Sequence, residues 1–252
     1  MSEPVFYLSL SRARRHAPDA ALWAAWLGAE LVSRPLPPDR PGLVLTHAGL
    51  RLHVPGAKPT LWHPGLTHRR VRSRQPDTLG LVLALRPDEW VLDGTLGMGH
   101  DARMLARAGA RVLGLEVRPA IATFTALGLH GLDPGAARRI TVQCADHRTW
   151  LAAAPDDAVD HVYLDPMFPE GDEGESTNLA PFRHLPRLPR VSAATLRHAL
   201  RVARRHVLLK LAPSEPAPHP EGMPPPELVG SKRQFYARWT TPASGALQSD
   251  PP

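Results

Sequence analysis

From residue 76 onward, short apolar runs alternate with longer segments whose apolar positions recur at helical spacing. The runs are WVLD (90–93), RVLGLE (111–116), RITVQ (139–143), HVYLD (161–165) and HVLLKL (206–211). Between and around them the spacing predicts helices over 77–85, 101–109, 119–131, 147–154 and 192–205. Runs that are apolar throughout, rather than alternating, predict strands buried on both faces, and the alternation of strand with helix predicts a parallel sheet. Upstream, PVFYLSL (4–10), GLVLT (42–46), GLRLHV (49–54) and TLW (60–62) read as short strands. A helix is expected over 18–29, between Pro18 and Gly28. Residues 212–230 hold many prolines and no period, and read as a loop. FYARWT (235–240) reads as a last strand, antiparallel at an edge, and 241–252 as a flexible tail. The expectation is an α/β fold in three parts: a small α+β unit over 1–75, a larger α/β domain over 76–240, and the tail over 241–252.

Composition narrows the classes. Hydrophobic residues make up 43% of 252 positions, enough for a sizeable core. No long uncharged apolar stretch suggests a membrane span, and the amino-terminal residues lack a secretory pattern. Cys144 is the only cysteine, which excludes a disulfide framework and a cysteine-based zinc site and fits a cytoplasmic protein. Cys144 itself is expected to be a buried small hydrophobe. The thirteen histidines show no metal-ligand spacing, so no metal is expected. Net charge is +6, carried almost wholly by arginine, since lysine occurs only at 58, 210 and 232. That balance favours a polyanionic partner or a generic basic surface.

The first strand of the larger domain runs into DGTLGMGHDA, residues 93–102. A strand, a glycine-rich turn and a helix start make a nucleotide-binding corner. The glycine order is Gly94-x-x-Gly97-x-Gly99, not the dinucleotide G-x-G-x-x-G. The strand also ends in an acid, Asp93, which would repel a pyrophosphate and attract a cation. The sulfonium and amino groups of S-adenosylmethionine (SAM) meet that requirement, whereas NAD does not. Glu116 ends the next strand, where a carboxylate can accept both ribose hydroxyl protons. Asp146 follows the third strand, placed to accept from an adenine amine or to cap the next helix. With Asp165, four acids stand at the ends of four successive strands, on one edge of the sheet. Asp101 reads as a first-turn acid favoured by the helix dipole that could also touch the ligand. His100 is either loop filler or part of the cofactor wall.

The fourth strand ends in Asp165-Pro166-Met167-Phe168-Pro169. The prolines stiffen the segment. The Asp165 carboxylate and the Pro166 carbonyl can accept both hydrogens of an exocyclic amine, and Phe168 can stack on its ring. Asp165, Pro166 and Phe168 are therefore the candidate catalytic residues, acting on a base flipped out of its stack.

DGTLGMGHDA, LEVRP and YLDPMFP together resemble the class I SAM-dependent methyltransferases. With THRR upstream, YLDPMFP is similar to the small-subunit rRNA guanine-N2 methyltransferases of the RsmJ type, over roughly residues 60–211. The resemblance implies a Rossmann-like class I methyltransferase sheet with helices on both faces and a small N-terminal α+β unit. It implies SAM as cofactor, held by Asp93, Gly94, Gly97, Gly99, His100, Asp101, Glu116, Val117, Ala145, Asp146 and Asp165. It implies methylation of a guanosine N2 amine in ribosomal RNA, free or in the small subunit. The chain departs from the family at His100 and Val117, where arginine is common. It departs again over EGDEGESTN (170–178), which is acidic where the family is lysine-rich. Other planar amines (DNA adenine, a protein glutamine) and a non-catalytic RNA- or ribosome-binding domain stay open as alternatives.

THRRVRSR places His68, Arg69, Arg70, Arg72 and Arg74 ahead of the larger domain, to hold phosphates or to link the two units. Lys210, at the end of HVLLK, could touch a phosphate or pair with a strand-end acid. Arg197, Arg201, Arg204 and Arg205 recur along the last helix and read as a solvated face.

Overall fold

The structure is a computed structural model that describes residues 6–10, 21, 24–25, 28–32, 41–46, 49–63, 78–166, 184, 190–212, 216–231 and 234–241. Two sheets organise it. The smaller has the order β2-β1-β3-β4-β5, with β1 Phe6–Leu10, β2 Ala29–Val32, β3 Gly42–Thr46, β4 Gly49–His53 and β5 Thr60–Leu61. β1 pairs in parallel with β2 and β3, while β4 and β5 add antiparallel strands.

The larger sheet contains β6 Trp90–Asp93, β7 Arg111–Glu116, β8 Ile140–Cys144, β9 Val159–Leu164, β10 Ala203–Leu211, β11 Glu227–Ser231 and β12 Gln234–Thr240. Its order is β11-β12-β10-β9-β6-β7-β8. All neighbours from β10 to β8 are parallel, and β12 is antiparallel to β10 and β11. Helices α1 Thr78–Val82, α2 His100–Arg107, α3 Pro119–Leu132, α4 Pro134–Ala137, α5 His147–Ala153 and α6 Ala193–Val202 connect the strands. The chain leaves β6 toward β7 on one side and reaches β9 on the other. The strand order reverses there, and open α/β sheets bind ligands in the crevice outside the carboxyl ends of the strands at such a point.

Side-chain alternation explains why the strands are apolar throughout. Val91, Val112, Tyr163 and Leu208 face one core with Leu105 of α2 and Phe124 of α3. Leu92, Val162, Leu164, Val207 and Leu209 face a second core with Leu151 of α5 and Leu196 of α6. The first core also takes in Leu43, Leu52, Val54 and Trp62 from the smaller sheet, so α3 is packed between the two sheets. The contact is close: a Cβ at Gly128 would lie 2.1 Å from the Trp62 ring.

Several sequence expectations need correction. Residues 227–231 form β11 rather than loop, because prolines 224–226 hide a run of only five residues. β12 is consequently paired on both sides, and β11 holds the edge. The helix expected over 192–205 stops at Val202, so Arg204 and Arg205 lie in β10 and pair with Asp160 and Glu89. Arg201 is not a solvated residue either: it donates to Leu151 O and Ala154 O at the end of α5 and pairs with Asp156. Cys144 is exposed, because β8 is an edge strand with little covering its end. Ala29, read as the last residue of a helix, instead begins β2, which runs to Val32. Among the described residues no helix is long and apolar enough to cross a membrane.

Candidate active site

Asp93 closes β6 and is 2% exposed. Its Oδ1 accepts from Thr95 N at 3.1 Å. Burial, with repulsion from Asp101, Asp165 and Glu116, pushes its carboxyl up to about 8. The turn that follows needs glycine where φ is positive, at Gly97 (+49°) and Gly99 (+69°). At Gly99 a Cβ would also meet Thr125 Cγ2 at 2.9 Å, whereas at Gly97 it would meet nothing nearer than Thr95 O at 3.9 Å. The loop is packed on one side and open on the other. Thr125 Oγ1 donates to Gly97 O at 2.6 Å and fixes the open segment from below. Gly94 N extends the strand pairing to Tyr163 O at 3.0 Å.

Glu116 closes β7 and is 6% exposed. It accepts from Arg118 N at 2.9 Å, and the N–H groups of Gly97 and Val117 also hydrogen-bond to it. Burial still holds its carboxyl above the ordinary carboxylate range. Ala145 N donates to Glu116 O at 3.1 Å, which carries the edge across to β8. Asp146 caps α5 through Arg148 N at 2.9 Å and pairs with the Arg148 guanidinium at 2.5 Å. That guanidinium holds the Asp146 carboxyl below its usual range. The helix-capping alternative is thus what the geometry displays at Asp146.

Asp165 follows β9 directly and stands beside the glycine turn. Its N–H donates to Thr95 Oγ1 at 2.6 Å, and its Oδ2 receives Lys210 Nζ at 2.6 Å. Burial pushes its carboxyl up to about 6 although Lys210 pulls the other way. Asp101 stands on the first turn of α2 and accepts the Tyr163 hydroxyl at 2.8 Å. Among the two alternatives for Lys210, the structure shows the pairing with a strand-end acid. His100 turns away from the acids: its Nε2 lies 2.9 Å from His63 O, and its ring meets Trp62 edge-on. Trp62 Nε1 donates to Met98 O at 3.0 Å. The smaller sheet therefore buttresses the glycine turn.

The structure brings Asp93, Gly97, Asp101, Glu116 and Asp165 to one crevice and places Pro166 beside them, half-buried. Phe168, His68, Arg69, Arg70, Arg72 and Arg74 lie outside the described residues. Sequence reasoning missed Thr95, Thr125, Trp62 and Tyr163. Tyr163 carried a signal, a hydroxyl in a buried strand two residues before the acid, whereas Trp62 carried none. Among the described residues no group of three or more His, Cys, Asp or Glu is placed to hold a metal.

Residues 66–235 match the family model described as "Putative SAM-dependent methyltransferase". This chain belongs to the SAM-dependent methyltransferase family. This methyltransferase is 32% identical over 219 residues to the ribosomal RNA small subunit methyltransferase J of Alkalilimnicola ehrlichii, covering 79% of this chain and 83% of that protein. It is 30% identical to the uncharacterized protein YpiP of Bacillus subtilis, covering 68% and 71%. A crystal structure of a SAM-dependent methyltransferase from Neisseria gonorrhoeae superposes with a TM-score of 0.67 at 21% identity, covering 96% of this chain and 99% of that one. That likeness shows the fold, a Rossmann-like class I methyltransferase sheet.

The residues fit the family's cofactor. SAM carries a cationic sulfonium and ammonium beside two ribose hydroxyls, and the methyltransferase offers two buried carboxyls: Asp93, held by a backbone N–H, for the cationic end, and Glu116, held by backbone N–H groups with the Arg118 guanidinium 3.9 Å away, for the hydroxyls. Burial holds Asp93 above its ordinary ionisation range until a cation arrives. The open face at Gly97 is where a side chain would otherwise stand.

Proposed function

We propose that this methyltransferase modifies the exocyclic N2 amine of a guanosine in small-subunit ribosomal RNA. One observation carries the reading. Asp165 and Pro166 follow the strand at the switch point, beside the buried Asp93 and the glycine turn. The name of the Alkalilimnicola relative supplies the substrate class.

When bound, SAM supplies a methyl group on a sulfonium leaving group. The Asp165 carboxylate and the Pro166 carbonyl accept the two hydrogens of the amine and turn its lone pair toward the crevice. As the N–C bond forms and the C–S bond breaks, one amine proton becomes acidic and passes to Asp165. No strong base is required, because the proton is released only as the nitrogen gains its new bond. Phe168 would stack on the base, and His68, Arg69, Arg70 and Arg72 would hold phosphates ahead of the crevice. Asp93, Gly94, Gly97, Gly99, Asp101, Glu116, Val117, Ala145 and Asp146 line the cofactor side in this reading. His100 is assigned instead to the contact with the smaller sheet. Residues 1–75 are read as the α+β unit that presents the basic stretch, 76–240 as the catalytic domain, and the cytoplasm as the compartment.

A labelled-methyl assay tests the reading on free rRNA, assembled small subunits and DNA. Label in small-subunit rRNA that maps to a guanine N2 supports it. Label confined to DNA, or in no nucleic acid, overturns it.

A further inference from the structure

The ion pair beneath Asp165 has a role beyond holding the strands together. Lys210 stands in β10 one residue beyond Leu209, which is in register with Leu164, the residue before Asp165. Its Nζ lies 2.6 Å from Asp165 Oδ2 and 3.9 Å from Asp101 Oδ2. Asp101 Oδ2 also accepts the Tyr163 hydroxyl at 2.8 Å. Tyr236 of β12 is the partner of Lys210 across the ladder. The groups facing Asp165 are therefore Asp93 from β6, Asp101 from α2, Tyr163 from β9, Lys210 from β10 and, behind Lys210, Tyr236.

We infer that Lys210 is a positioning residue whose ammonium keeps Asp165 ionised and aimed into the crevice, with Asp101 and Tyr163 fixing that ammonium in place. The inference rests on the reading of Asp165 as the acceptor of the amine hydrogens. A carboxyl set beside two other acids, Asp93 and Asp101, in a poorly solvated place takes up a proton unless a cation stands against it. Once protonated it has a donor on one oxygen, so it no longer presents an ionised acceptor to the amine or receives its proton. Lys210 is placed to prevent that. Its own ammonium is held charged by Asp165 first and Asp101 next, against the effect of burial. In the transfer step the N–C bond forms, the C–S bond breaks with its electron pair going to sulfur, and the amine proton moves to the Asp165 oxygen. Lys210 neither gives nor takes a proton. The side chain of Asp165 retains 24% of its surface, which leaves a route for the proton to water.

The test uses the full chain with its aspartate carboxyl carbons 13C-labelled, and Asp165→Asn to assign the signal. The wild-type midpoint is expected near pH 6, raised by burial. Lys210→Met moves the midpoint upward by about one unit or more, and Lys210→Arg restores it. Should Lys210→Met not fold, Lys210→Gln is measured in the same way, and its midpoint moves upward likewise. In methyl transfer, the acid limb of the kcat profile of Lys210→Met moves with the midpoint while KM for SAM stays within about threefold. An unmoved midpoint overturns the inference. So does a loss of activity equal at every pH with a higher KM for RNA and a weaker salt dependence, which marks a phosphate contact instead. A moved midpoint in a protein that methylates no rRNA upholds the hold of Lys210 on Asp165 and sinks the substrate reading alone.

Discussion

At the residue scale, the acids of the crevice divide by charge state, and each state has a measurable consequence. Asp165→Ala should lower kcat by about 100-fold or more while SAM binding, measured by calorimetry, changes little. Retained transfer would remove Asp165 from the chemistry. Activity should rise with pH through about 6, as the Asp165 carboxyl loses its proton and becomes an acceptor. Asp93 imposes a dependence on the fold itself. Its folded-state value of about 8 lies above the ordinary 3.8, so the ligand-free fold binds a proton that the unfolded chain releases. Its contribution is complete below pH 4 and is lost as pH rises through 8, by on the order of 5 kcal/mol if no cation arrives. Thermal melts of Asp93→Asn should therefore depend less on pH between 5 and 8 than those of the wild type. Much of this was legible: acids at strand ends and a glycine turn between them are sequence features. Lys210 was legible only as a choice between a phosphate contact and a strand-end acid; which acid it meets was not, because 45 positions of chain separate it from Asp165.

At the element scale, α3 and the smaller sheet hold the glycine turn from beneath. Gly128 lies in mid-helix, where glycine is ordinarily unfavourable, because the Trp62 ring occupies the place of its side chain. Gly128→Ala should lower stability by about 1–3 kcal/mol in denaturant titrations, since Trp62 must move and its bond to Met98 O is strained or lost. SAM affinity should fall with it, as Met98 belongs to the turn. An unchanged midpoint and an unchanged affinity would show that Trp62 can shift without disturbing the loop. The central strands were readable because both their faces are covered, which leaves continuous apolar runs. β2 and β11 were not. Each is four or five residues long, β2 adjoins a helical pattern, and β11 follows three consecutive prolines.

At the scale of the whole molecule, the two sheets share a core, and this could not be read from a sequence in which they are separated by a basic stretch. Leu43, Leu52 and Trp62 are in the same apolar cluster as Ile121 and Phe124. Unfolding should therefore be one cooperative transition, with calorimetric and van't Hoff enthalpies that agree. Two resolved transitions would mean that the smaller sheet melts as a separate unit. The RNA reading adds a dependence on salt: affinity should drop steeply as ionic strength rises, more so than affinity for SAM.

Cys144 gives this scheme a natural reporter. The sole thiol of the chain is exposed at the end of β8, in register with Glu116. Partial burial and the nearby carboxylate raise it above the usual thiol range, so a maleimide dye would couple best in mildly alkaline buffer. One fluorophore then sits at the rim of the crevice without any engineered mutation, and its emission can follow nucleoside arrival in real time.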